Sequence, residues 1–153
     1  MSIRPLRPVV LLTLLVAGCT ATEPGPPREV TQERIEDILS TPLPSDAYAE
    51  QSRCLSRYQY RNIDILDDQT LVFRGTGERY WVNQLRQRCI GLRTRDTLHL
   101  EVRGNALCDL DTFVGMNSIM FGWEQTSATC QLGSFQSVTA EQVAAIRAAV
   151  EAR

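Results

Sequence analysis

Residues 63–85 read IDILDDQTLVFRGTGERYWVNQL, apolar and aromatic runs punctuated by turn residues. Ile63 and Ile65 alternate with polar neighbours and lead into Asp67-Asp68-Gln69. That cluster favours a turn, because Asp side chains hydrogen-bond the backbone two residues on. Thr70-Leu71-Val72-Phe73-Arg74 follows as a strand, Gly75-Thr76-Gly77-Glu78 as a second turn, and Arg79-Tyr80-Trp81-Val82 as the returning strand. Strands joined by connections this short pair antiparallel, since a parallel pair needs a crossover of a dozen residues or more.

The same pattern continues outward. Leu98, Leu100 and Val102 alternate with His99, Glu101 and Arg103, a strand with one buried face and His99 turned to solvent beside Glu101. Gly104-Asn105 tolerates positive φ and is expected to join that strand to Ala106–Leu110 as a tight hairpin. Cys130, Leu132, Phe135 and Val138 carry a last strand signal within 127–138. The period then changes. Thr139 with Gln142 makes a capping box, Val143, Ile146 and Val150 share one helical face, and Arg147 and Glu151 stand at i,i+4. The expected fold is mainly β (α+β): a small antiparallel sheet or partly open β-barrel with a C-terminal amphipathic helix, stapled by disulfides. No internal repeat is visible.

Composition narrows the chemistry. The 153 residues are 43% hydrophobic and 22% charged, which excludes fully disordered and fibrous classes. All 16 basic residues are Arg, so lysine chemistry is excluded, and a single histidine, His99, rules out a multi-histidine metal site. No cofactor is expected. The balance is mildly acidic with no basic run, so there is no electrostatic footprint for nucleic acid.

The N-terminus predicts export. Arg4 and Arg7 form a short basic region before Val9–Val16, an apolar run too short to span a bilayer, which needs about 20 helical residues. Leu15-Val16-Ala17-Gly18-Cys19 then places small residues directly before a cysteine, as in a secretory signal ending in a lipobox. Cleavage after Gly18 leaves Cys19 as the lipidated N-terminus, joined to the membrane through its acyl chains at about 0.8 kcal/mol per buried CH₂. Losing Arg4 and Arg7 from 16 basic residues, against 18 acidic ones, moves the net charge from −2 to about −4. Thr20 stands where an aspartate would retain the chain at the inner membrane, which points to the inner leaflet of the outer membrane, facing the periplasm. Residues 19–45 read as a Pro- and Thr-rich flexible tether, with a short helix over 31–39 from Ile35, Ile38 and Leu39; 46–153 read as a single β-rich globular domain.

With Cys19 taken by lipid, Cys54, Cys89, Cys108 and Cys130 remain, an even number in an exported chain, so two disulfides are expected. Four cysteines allow three pairings. No two lie at the close spacing of a zinc knuckle.

Ile65-Leu66-Asp67-Asp68-Gln69-Thr70-Leu71-Val72-Phe73, Tyr80-Trp81-Val82-Asn83-Gln84-Leu85, Cys89-Ile90-Gly91-Leu92 and Cys130-Gln131-Leu132-Gly133-Ser134-Phe135 resemble a family of small proteobacterial exported proteins and lipoproteins of unknown function. The resemblance covers roughly residues 50–138 and implies the pairing Cys89–Cys130, leaving Cys54–Cys108. Its motifs are turns, strands and cysteines, so it implies no chemistry.

Candidate chemistry is sparse. Asp67-Asp68 and Asp109-x-Asp111 are the close carboxylate pairs, and neither has the regular oxygen spacing of a calcium loop. Both read as turn or strand-end acids, with a hydrolase carboxylate pair as the competing class. Thr76-Gly77-x-x-Tyr80 is loosely similar to the Ser-Gly-x-x-Tyr loop of small lipoprotein inhibitors of lysozyme, which would imply inhibition of a cell-wall hydrolase. The most unusual stretch is Phe113–Trp123, which holds two of three Met, two of four Phe and one of two Trp. As a core strand, its glycines would mark bulges. As a surface loop beside Gly104-Asn105, it would offer Met116, Met120, Phe121 and Trp123 to a partner protein or lipid. The expected function is a lipid-anchored, non-catalytic binding or structural module of the cell envelope, with no catalytic, cofactor or metal residue assigned.

Overall fold

The computed structural model describes residues 26–43, 51–102 and 104–153. The expected signal segment, Cys19 and both ends of the expected tether, 19–25 and 44–45, lie outside the described residues. The chain order is α1 (Arg28–Ser40), β1 (Gln51–Ser52), β2 (Cys54–Ser56), β3 (Tyr60–Ile65), β4 (Thr70–Gly75), β5 (Tyr80–Gln84), β6 (Thr97–Glu101), β7 (Ala106–Cys108), β8 (Thr112–Ile119), β9 (Gly122–Gln125), β10 (Cys130–Gln131), β11 (Phe135–Val138) and α2 (Ala140–Glu151). The strands form an antiparallel five-stranded sheet ordered β1-β11-β5-β4-β3, a second sheet with β8 between β6 and the β9–β10 side, and the small pair β2-β7. The sheets do not close into a barrel.

Three layers result. Val72, Val82 and Val138 point from one face of the large sheet into a cluster with Ile35 and Leu39 of α1 and Val143, Ile146 and Val150 of α2. Leu71, Phe73, Trp81 and Phe135 point the other way, against Leu55, Leu107, Phe113, Leu132 and the cysteines of the Cys89–Cys130 bridge. Successive strand side chains face opposite sides, so β4 and β5 are covered on both, which explains the unbroken apolar run at 71–73. Phe73 meets Phe135 edge to face at 5.1 Å and Tyr60 at 5.3 Å.

The helix near 31–39 is longer than its periodicity predicts and belongs to the folded unit rather than to a tether. Thr31, Ile35 and Leu39, four residues apart, are buried on one face and seat α1 beside α2. The capping box at Thr139 and Gln142 forms as expected. Arg147, expected to pair with Glu151, reaches Asp64 at 3.5 Å.

The hairpin expected at Gly104-Asn105 does not form between its flanking strands. Gly104 takes the positive φ, but β6 pairs with β8, and Ala106–Cys108 pairs with Cys54–Ser56, Cys108 lying opposite Cys54. A covalent bridge and a buried Leu55–Leu107 pair favour this distant partner over the adjacent one. The two disulfides are Cys54–Cys108 and Cys89–Cys130.

Candidate functional site

Phe113–Trp123 is at once core and surface. β8 begins inside the sandwich, where Phe113 and Gly115 are buried, and then runs out of it. Met116 is half-buried at the exit, Asn117 and Ser118 are exposed, and Met120 and Phe121 stand 89% and 93% exposed at a two-residue turn. Gly122 reverses the chain with φ +149°, a conformation other residues rarely adopt. Trp123, 60% exposed, lies opposite Ser118 on β9, and the ladder continues from Ile119–Gly122 to Met116–Gln125. The stretch is therefore a paired hairpin rather than an irregular loop. Of the four residues singled out there, three are brought together at its end and Met116 sits at its root.

The root is rigid. At Gly115 a side chain would meet Asp96 Oδ2 at 2.9 Å, Thr126 Oγ1 at 2.9 Å and Leu92 Cδ1 at 3.0 Å, so the 92–96 loop packs directly on the strand. Gly115 N–H donates to Ser127 Oγ at 2.7 Å, and Thr126 Oγ1 donates to Asp96 Oδ2 at 2.6 Å. The hairpin leaves at the opposite end of β8 from Gly104-Asn105, because β6 runs antiparallel and ends at the Glu101–Thr112 pair. The expected neighbourhood of those two features is thereby corrected.

The acids occupy structural positions. Asp67 Oδ1 accepts from the N–H groups of Gln69 and Thr70 at 2.9 and 2.7 Å, and Arg153 donates to Oδ2 at 2.9 Å. Asp68 accepts from Arg28 and Arg88. Its partial burial pushes the carboxyl up, but the hydrogen bonds and charges of Arg88 and Arg28 outweigh this and hold it below the usual carboxylate range. Asp109 pairs with Arg53 and lies within 3.9 Å of Arg86, while Asp111 accepts from Cys108 N–H. A shallow cleft of about 470 Å³ carries Asp64, Asp96 and Glu151, of which Asp64 is bound by Arg74 and Arg147, and Asp96 by Thr126 and the Arg93 N–H. Glu141, under hydrogen bonds from its own backbone N–H and from Thr139, is likewise held below the usual carboxylate range.

His99 is exposed on β6, and Glu101 beside it accepts from Thr112 Oγ1. The turn 76–79 is exposed, with Tyr80 at its base packed against the helix-covered core. Among the described residues no group of three or more His, Cys, Asp or Glu is arranged to hold a metal ion, and no helix is long and apolar enough to cross a membrane.

No family model matches this chain, and neither a curated protein nor a solved structure matches it.

Proposed function

We propose that this chain is a lipid-anchored protein of the cell envelope, of the exported proteobacterial kind it resembles. It is cleaved before Cys19, held on the inner leaflet of the outer membrane facing the periplasm, and acts as a non-catalytic binding or structural module. The observation that carries the reading is Leu15-Val16-Ala17-Gly18-Cys19, following a basic start and the short apolar run Val9–Val16. The two disulfides support it, because such bridges persist in oxidising compartments and are rare in the cytosol. Engagement of the clustered carboxylates in ion pairs and turn hydrogen bonds supports binding over catalysis, and the Met120–Trp123 tip is the contact surface.

Replacement of Cys19 by alanine tests the proposal. In cells supplied with a labelled fatty acid, the parent chain should take up label and Cys19→Ala should not, accumulating as an unprocessed or mis-sorted precursor. A normally labelled Cys19→Ala chain would overturn the lipoprotein reading.

A further inference from the structure

We infer that the tip of the β8–β9 hairpin enters the phospholipid bilayer that holds the Cys19 anchor, with Met120 and Phe121 below the headgroups and Trp123 at their level. The inference deepens the lipid-anchor reading and rests on it.

The chemistry of the tip fits a membrane interface. Residues 112–123 hold no charged side chain, and Met120 and Phe121, the two most exposed large apolar residues among those described, stand side by side at the turn. Trp123 follows with an apolar body and a polar N–H, the residue type that collects where lipid meets water. Ile119 and Gly122 pair directly across the turn, so the inward-facing backbone groups there are already bonded, while the outer edges of the hairpin beyond Met116 keep their strands at the hydrated headgroup level and leave only the turn to enter.

Position points the same way. The hairpin leaves the sandwich at the rim formed by residues 89–96: Leu92 and Asp96 pack on Gly115, and Ile90 accepts from Ala128 N–H. α1 begins at that rim, because Arg28 and Arg88 share Asp68, whose carbonyl accepts from Cys89 N–H. Cys19 precedes Arg28 by only nine residues, which span at most about 30 Å when fully extended. The tether therefore joins the fold on the side of that rim, within about 30 Å of the anchored cysteine. Arg93 and Arg95, exposed on the loop packed against Gly115, are cations suited to anionic headgroups at that level.

The tip suits a fluid medium better than a protein surface. Its apolar part is a point flanked by exposed Asn117, Ser118, Glu124 and Gln125. A stable protein interface needs roughly 800 Å² per partner with matched shape. Because the lipid already confines the domain, the tip need not bind tightly, and its effect is to set which way the domain faces.

The test uses full chain purified from bacterial membranes and reconstituted in vesicles of phosphatidylethanolamine and phosphatidylglycerol carrying brominated acyl chains. Trp123 emission should be quenched, while Trp81, buried at 3% exposure, supplies a constant background. The variant Met120→Ser/Phe121→Ser should keep its lipid, float with the vesicles and retain its near-ultraviolet dichroism, yet lose the quenching. A lipidated, floating parent chain with unquenched Trp123 would overturn insertion and leave the anchor standing. A chain that carries no lipid and stays off the vesicles would overturn the anchor reading and this inference with it. In cells, a benzophenone side chain placed at position 121 should cross-link to phospholipid, and capture of a polypeptide instead would overturn the inference in favour of a protein partner.

Discussion

Arg28 donates to both carboxylate oxygens of Asp68, at 2.9 and 3.1 Å across 40 residues of sequence, and Arg88 closes on the same carboxylate at 2.6 Å. One side chain thereby ties the first turn of α1, the β3–β4 turn and the segment leading to Cys89. The folded carboxyl lies below its unfolded pKa of about 3.9. Its contribution is thus fully present above that value and is lost as pH falls through the folded pKa. Asp68→Asn should lower the urea midpoint at neutral pH, with the two curves converging in acid. The guanidinium groups are about half exposed, so added salt should shrink the difference. A gap that persists unchanged at the lowest pH would show that the ion pairs are not its source.

Asn83 and Gly133 form a second long-range tie. Asn83 Nδ2 donates to Gly133 O at 2.7 Å and Gly133 N–H donates to Asn83 Oδ1 at 2.9 Å, both buried. Asn83→Ala leaves two backbone groups without partners, at about 1–3 kcal/mol each, and should lower the unfolding free energy accordingly. Asn83→Asp, which lacks the amide donor, should rescue only part of it. An Asn83→Ala chain of parental stability in urea would contradict this assignment.

The two bridges should differ in access. Cys89 is fully buried and Cys130 nearly so, whereas Cys54 is exposed on the β2–β7 pair. Under limiting reductant, peptide mapping after alkylation should find Cys54 and Cys108 labelled first. Cys89 and Cys130 are separated by 41 residues, and losing their bridge should cost about 2–4 kcal/mol. Simultaneous labelling of all four cysteines would show that reduction proceeds through global unfolding.

Along β8, stability and exposure should part company. Met120→Ser/Phe121→Ser removes side chains that already face solvent and should leave the melting temperature nearly unchanged. Phe113→Ala, at the buried end of β8, should cost about 3–5 kcal/mol. Met116, half-buried between them, should fall in the middle. A large thermal loss in the tip variant would mean that the tip packs on the domain.

Local patterns in the sequence foretell much of this fold, and long-range partners are where they fall silent. The Gly75–Glu78 turn, the alternation at 97–101 and the Thr139 capping box each depend on neighbouring residues, and each stands where the pattern puts it. Ala106–Cys108 is different. Adjacency suggests β6 as its partner, but Cys54, 54 residues away, supplies the bridge that decides for β2. Phe113–Trp123 defeated a choice between core and surface because one strand does both, the change occurring after Gly115, where the 92–96 loop packs. The carboxylates show the same limit: sequence spacing identifies turn acids but not the arginines, 20 to 86 residues away, that occupy Asp67 and Asp68.

The intact mass of the protein extracted from the membrane fraction of the cells that make it reports directly on cleavage and lipidation at Cys19. The mature chain should begin at Cys19, lack residues 1–18 and carry diacylglycerol on the cysteine sulfur with a further acyl chain on its amine, each of the two disulfides lowering the mass by two hydrogen atoms. A chain that retains residues 1–18, or begins elsewhere with an unmodified N-terminus, would contradict the lipoprotein reading.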